Sequence, residues 1–279
     1  MKLYWLLGLM CLFVFAGTSN AQFLVVNNYN SGTNINATFN DTDDGTQNRT
    51  LNGTYSFFGN SFTSFNICTN GFMSTIADTT FSNVNFPTNS GVGRIAPLWD
   101  DMVLETAAPA TTVWEHFNTG FYSITWENSG RFNFGGTGRL TYQAVWFNAA
   151  TTLSSGSGSF DFLPGDIAFD YQTLIAGDTY SATVGLDLGN GTNFAVAPGT
   201  TNGAITNTNF NLLPLDNDSF ILFRDDGAGG YNVSIESFSA VPEPLTIAMS
   251  GLGLGAVAMG VRRVRHKRSK NKMANRTKN

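Results

Sequence analysis

From Gln22 to Phe238 the chain nowhere sustains apolar residues at the i, i+3, i+4, i+7 spacing of a helix. Short apolar or alternating runs recur instead, each closed by turn residues. The runs predict strands at Phe23–Asn27, Phe65–Cys68, Arg94–Trp99, Thr112–His116, Phe121–Trp126 and Leu140–Phe147. Further strands are predicted at Asp166–Tyr171, Ser181–Asp187, Phe220–Phe223 and Tyr231–Ile235. Asn70-Gly71, Asn118-Thr119-Gly120, Gly135-Gly136, Gly189-Asn190-Gly191 and Asp226-Gly227 punctuate them, because Asn, Asp and Gly tolerate the backbone angles of tight turns. Leu140–Phe147 carries almost no polar surface, which predicts a strand in the middle of a sheet. The expected fold is all-β: one antiparallel β-sandwich or jelly-roll-like domain over residues 22–238, long enough to bury its own core. No repeat of fixed period is present, which argues against a propeller or solenoid. Asn28 to Thr54, rich in Asn, Thr, Gly and Asp, reads as a long loop or a loose leading hairpin.

Charge is segregated along the chain. Of fifteen Lys and Arg, nine lie at or beyond Arg262 and one is Lys2, leaving Arg49, Arg94, Arg131, Arg139 and Arg224 in the body. Nineteen of the twenty acidic residues fall in that same body, so its net charge is −14. Phosphate backbones need a basic footprint, and this composition therefore excludes nucleic acid as a partner.

Both ends read as membrane-directed. Lys2, the apolar run Leu3–Ala16 and the small residues before Ala21 form a signal peptide, residues 1–21, cut by signal peptidase after Ala21. At the other end, residues 239–244 are a linker that closes with Pro242-Glu243-Pro244. An apolar, glycine-rich run over residues 245–261 follows directly, then a basic tail over 262–279 that opens with Arg262, Arg263, Arg265, Lys267 and Arg268. As a helix the run spans about 25 Å, close to a hydrocarbon core of about 30 Å. The basic cluster holds the tail on the cytoplasmic side. The span and cluster by themselves favour an ordinary stop-transfer anchor. With the triplet in front of them, the order resembles the PEP-CTERM sorting signal of bacteria that make extracellular polysaccharide. That resemblance implies that an exosortase recognises Pro242, Glu243 and Pro244 and frees the protein from its membrane-held tail. It also implies an inner-membrane intermediate and a final place at the cell surface or outside the cell. In one respect the chain departs from that family, continuing from Ser269 to Asn279 past the basic cluster.

The body carries a second resemblance. Asn70-Gly71-Phe72, Ile95-Ala96-Pro97-Leu98-Trp99-Asp100-Asp101 and Phe121-Tyr122-Ser123-Ile124-Thr125-Trp126 occur in order, with Gly130-Arg131-Phe132 after them. Leu140–Val145, Gly165–Phe169, Ala182–Leu186, Gly189–Thr192 and Phe220–Asp225 continue the series. Over about residues 70–226 this is similar to the nidogen-like extracellular domain. The likeness implies a β-rich adhesion or matrix module with no established catalytic residues.

The residues themselves offer little catalysis. His116 is the body's single histidine, and no Gly-x-Ser-x-Gly elbow accompanies it. Histidine and cysteine are too sparse for the usual zinc sites. Asp100, Asp101, Glu105, Glu115 and Glu127 could supply the two carboxylates of a glycosidase, which stand roughly 5–9.5 Å apart. No enzyme activity is expected. No cofactor is assigned, although calcium is conceivable at oxygen-rich stretches: Asn40–Gly45, Asp216-Asn217-Asp218 and Asp225-Asp226-Gly227. The first fails the EF-hand pattern, since Leu51 falls where the bidentate Glu belongs. Asp and Asn also favour turns for local reasons. Cys68 is the one cysteine outside the leader and reads as a buried strand residue. Trp99, Trp114 and Trp126 could stack on sugars, with core burial the commoner fate. The reading preferred is a non-catalytic module that binds exopolysaccharide or other matrix components. A coat or scaffold protein without a specific ligand and a glycan-active enzyme are the alternatives.

Overall fold

The computed structural model describes residues 29–132, 139–155, 158–171, 182–197 and 219–238. In chain order its strands begin with β1 (Thr33–Asn34), β2 (Thr46–Phe57), β3 (Asn60–Cys68) and β4 (Phe72–Ser74). β5 (Arg94–Trp99), β6 (Met102–Val103), β7 (Thr112–Asn118) and β8 (Phe121–Arg131) follow. The chain continues with β9 (Leu140–Phe147), β10 (Thr151–Ser155), β11 (Gly158–Phe162) and β12 (Ile167–Tyr171). The last strands are β13 (Thr183–Asp187), β14 (Phe194–Val196), β15 (Ser219–Asp225) and β16 (Tyr231–Ser237). Helix among the described residues is limited to the single 3-10 turns Tyr29–Ser31 and Asn36–Thr38. The all-β expectation holds.

Two antiparallel sheets organise the strands. The larger runs β1-β7-β8-β9-β12-β15-β16, with β6 paired to β8; the smaller runs β14-β13-β5-β4-β3-β2. A separate hairpin is formed by β10 and β11. One core takes side chains from both sheets, among them Phe57, Phe65, Ile67, Ile95 and Leu98 from the smaller and Ile124, Trp126, Trp146 and Phe169 from the larger. Aromatic rings with a polar tip tie the sheets together where an alkyl chain could not. Trp126 Nε1 donates to the Cys68 carbonyl at 3.1 Å, Trp146 Nε1 to the Ser56 carbonyl at 2.9 Å, and Tyr171 Oη to the Pro97 carbonyl at 2.6 Å. Each ring gains apolar burial while its donor is satisfied, as buried Trp and Tyr require.

β9 lies between β8 and β12, as its apolar sequence predicts. Its second face is covered as well. Phe147 stacks on Phe162 of the β10–β11 hairpin, ring centroids 4.1 Å apart and nearly parallel. Phe121, Val145, Ala168, Phe220, Leu222 and Phe238 complete that cluster. All eight residues of β9 are therefore buried.

Two expectations need correction. The stretch before residue 54, read as a loop or loose hairpin, contains most of β2, which pairs with β3 along a twelve-residue strand. Its polar residues sit on the exposed side, while Leu51, Tyr55 and Phe57 reach the core. The β10–β11 hairpin was also not predicted, because Ser and Gly dominate it. The predicted strand Phe23–Asn27, the signal helix, the apolar span 245–261 and the basic tail lie outside the described residues. Among the described residues no helix is long and apolar enough to cross a membrane.

Candidate functional site

The loop that leads into β2 and the loop that leaves β5 meet at the Asn70-Gly71 turn. Gly71 adopts φ +77°, and a Cβ there would lie 2.1 Å from the Leu98 carbonyl oxygen, so only glycine lets the turn approach β5. Asn70 then joins both loops. Its amide nitrogen donates to Asp44 Oδ1 at 3.0 Å, and its amide oxygen accepts from Met102 N at 2.9 Å. Thr69 adds to the clamp, accepting from Gly45 N at 2.9 Å and donating to the Asp43 carbonyl.

This clamp brings Asp43, Asp44 and Asp101 together, one carboxylate oxygen of each within 4.8 Å of the others. All three are half-buried. Oδ1 of Asp43 is enclosed and accepts no hydrogen bond. Burial pushes the Asp43 carboxyl above its ordinary range, and the charges of Asp44 and Asp41 push it further. Asp101 is raised likewise, by burial first and then by Asp43, Asp44 and Asp100, with Arg131 opposing. The guanidinium of Arg131 instead sits 3.3 Å from Asp100. Like charges at this spacing repel, and the spacing suits oxygens around one hard cation, which takes ligands at about 2.3–2.6 Å. Three carboxylates fall short of the six to eight oxygens calcium takes. The fit is partial.

The family model described as NIDO related matches residues 13–223, well over half of the chain. The chain belongs to this family. Its membership bears out the resemblance of the body to the nidogen-like domain and points to an extracellular protein. The match begins ahead of Asn70, so it takes in β2 and β3. No curated protein and no solved structure matches the chain.

The other candidate residues of this NIDO-related domain are dispersed. Glu115 is buried and bonded to Arg49 and Tyr122. Glu127 accepts from Tyr29 Oη at 2.7 Å and from Trp114 Nε1 at 2.8 Å, and Glu105 lies 3.9 Å from Arg139. His116 stands opposite Ser123 in register, yet His116 Nδ1 and Ser123 Oγ each lack a hydrogen-bond partner. Burial lowers the His116 pKa. Trp99 and Trp126 are buried, which removes them as sugar platforms, and Trp114 is half-buried.

At Asp225-Asp226-Gly227 the carboxylates cap their own turn: Asp225 Oδ1 accepts from Gly227 N, and Asp226 Oδ1 from Ala228 N and Gly230 N. That is the local reading of the motif. Asp216-Asn217-Asp218 lies outside the described residues. So do Ala21, Pro242, Glu243, Pro244, Arg262, Arg263, Arg265, Lys267 and Arg268. The meeting of Asp101 with the Asn40–Gly45 stretch had no local signal, because it depends on β3 and β5 lying on either side of β4.

Proposed function

We propose that this chain is an exported bacterial protein whose NIDO-related β-sandwich acts as a non-catalytic adhesion or matrix-binding module in an exopolysaccharide matrix. The observation that carries the reading is the family match over residues 13–223, followed in the sequence by Pro242-Glu243-Pro244, an apolar span and a basic cluster. A binding module needs a stable exterior and no reacting groups. The acidic body supplies charge for solubility. In this reading signal peptidase removes residues 1–21, and the span holds an inner-membrane intermediate through residues 245–261. An exosortase that reads the triplet then releases the domain to the surface.

A tag placed after Asn279, followed in membrane and surface fractions beside an antibody to the domain, tests this. Released domain without the tag is expected, together with a membrane-held, tagged form when Glu243→Ala removes the recognition element. Surface protein that still carries the tag defeats the sorting reading. Retention of the native domain by cell-free matrix, absent for an unrelated acidic protein, is the second expectation; its failure leaves only a coat or scaffold role.

A further inference from the structure

At one rim of the two sheets β2 breaks its register with β3 between Thr50 and Tyr55 and bulges toward the larger sheet. There Asn52 Nδ2 donates to the Asn118 carbonyl at 2.7 Å, and Tyr55 Oη donates to Asn52 Oδ1 at 2.6 Å. The bulge, the β7–β8 turn and the chain just after β9 border an open depression of about 660 Å³. Small-ligand sites run from roughly 300 to 1,000 Å³. Amides and a hydroxyl line it, from Asn52, Asn118, Thr119 and Asn148, with the ring of Phe117 beside them.

Three features of the lining narrow the ligand. The first is an aromatic surface: Phe117 packs against Tyr122 at 5.0 Å yet remains 41 % exposed, so one face of its ring is open to a ligand. The second is hydrogen-bonding capacity of both signs. Asn118 Nδ2, Thr119 Oγ1 and the side-chain amide of Asn148 have no protein partner among the described residues, while Asn118 Oδ1 already caps Thr119 N. Amides donate and accept at once, as sugar hydroxyls do. The third is charge: no lining residue carries any, and the domain around it has a net charge of −14 that repels anionic polymers.

The walls are also held in place. Asn148 N and Ala149 N both donate to the Gly120 carbonyl, at 2.9 and 3.3 Å. A Cβ on Gly53 would lie 2.4 Å from Asn148 Nδ2, so the glycine makes room for that amide. Pre-set polar groups lower the ordering cost of binding.

We propose that this rim depression binds a neutral polysaccharide, with Phe117 stacking on the apolar face of a sugar ring and Asn118, Thr119 and Asn148 bonding its hydroxyls. The assignment rests on the matrix-binding reading above and names its ligand class and its site. The depression opens to solvent at the rim, which lets an internal stretch of a long chain enter without a free end.

The full-length chain and its Phe117→Ala and Asn148→Ala variants are titrated calorimetrically with cellohexaose, mannohexaose and chitohexaose, and with a hexamer of uronate as the charged comparison. Wild type is expected to bind at least one neutral hexasaccharide and to bind the uronate more weakly. Each variant should lose about tenfold in affinity, the scale of one aromatic or hydrogen-bonded contact, with an unchanged thermal midpoint. Tighter binding of uronate overturns the ligand class. Unchanged affinity in both variants overturns the site and leaves matrix binding standing. A wild type that ignores every oligosaccharide but still co-sediments with cell-free matrix also overturns the site alone. Loss of both kinds of binding in the wild type removes the matrix reading with it.

Discussion

Arg49 of β2 and Glu115 of β7 join the two sheets by an ion pair, with Arg49 Nε donating to Glu115 Oε1 at 2.7 Å and Tyr122 Oη donating to the same oxygen at 2.8 Å. Glu115 is only 1 % exposed, so its charge depends on these donors. Burial, then the charge of Glu115, holds the Tyr122 phenol far above its ordinary pKa, which keeps it a donor. Removing one partner of a buried pair leaves an uncompensated charge and costs about 3–5 kcal/mol. Arg49→Met should therefore destabilise the domain by about 3 kcal/mol, toward the low end because Arg49 is partly exposed. The double variant Arg49→Met, Glu115→Leu should recover much of that loss. Urea unfolding midpoints of the two variants decide it; equal losses would mean that the pair's charge is not the cause.

The Asn70-Gly71 turn sets the position of both carboxylate loops. Gly71→Ala places a Cβ against the Leu98 carbonyl at a positive φ, a combination that costs on the order of 1–3 kcal/mol. A lower thermal midpoint is expected. Gly227→Ala provides the comparison, since it shares the positive φ but has open space around it and should cost less.

Asp43 and Asp101 should make the domain lose stability as pH rises. Both carboxyls are raised in the folded state, so their contribution is complete below the unfolded pKa and declines as pH climbs through the folded values. Asp101→Asn removes the repulsion and should raise stability at pH 7 in metal-free buffer by about 0.5 kcal/mol, the scale of a partly exposed charge interaction. The difference from wild type should shrink as pH falls toward 4. Asp166, also raised by burial, titrates in both proteins and cancels from the comparison. A variant less stable than wild type at pH 7 would show that repulsion does not dominate the cluster.

Cys68 should be inert in the folded protein. It is fully buried, and burial pushes its thiol up to about 12, so little thiolate exists at neutral pH. Labelling by a thiol reagent at pH 8 should follow global unfolding and accelerate only in denaturant. Fast labelling without denaturant would place the thiol at the surface.

Much of this architecture is legible in the residues. Arg94–Trp99 and Leu140–Phe147 are predicted with the bounds they have, because strands buried on both faces are mostly apolar, with Arg94 and Gln143 hydrogen-bonded to Asp78 and Thr125. Asn70-Gly71 is predicted as a turn, since few other residues adopt its φ. The collinear motifs from Asn70 to Asp225 point to the family that the chain belongs to. β2 is not legible in the same way. Its residues up to Thr54 read as a long loop or loose hairpin by composition, and the strand exists because β3 supplies hydrogen bonds and because Tyr55 and Phe57 find Trp146 across the core. The hairpin β10–β11 is a strand pair for a similar reason: Phe160 and Phe162 meet Phe147 and Phe220. The approach of Asp101 to Asp43, and of Asn52 to Asn118, is decided by tertiary structure alone. Local patterning sets which residues can be strands and turns, whereas the partners of a polar side chain depend on how two sheets close on one core.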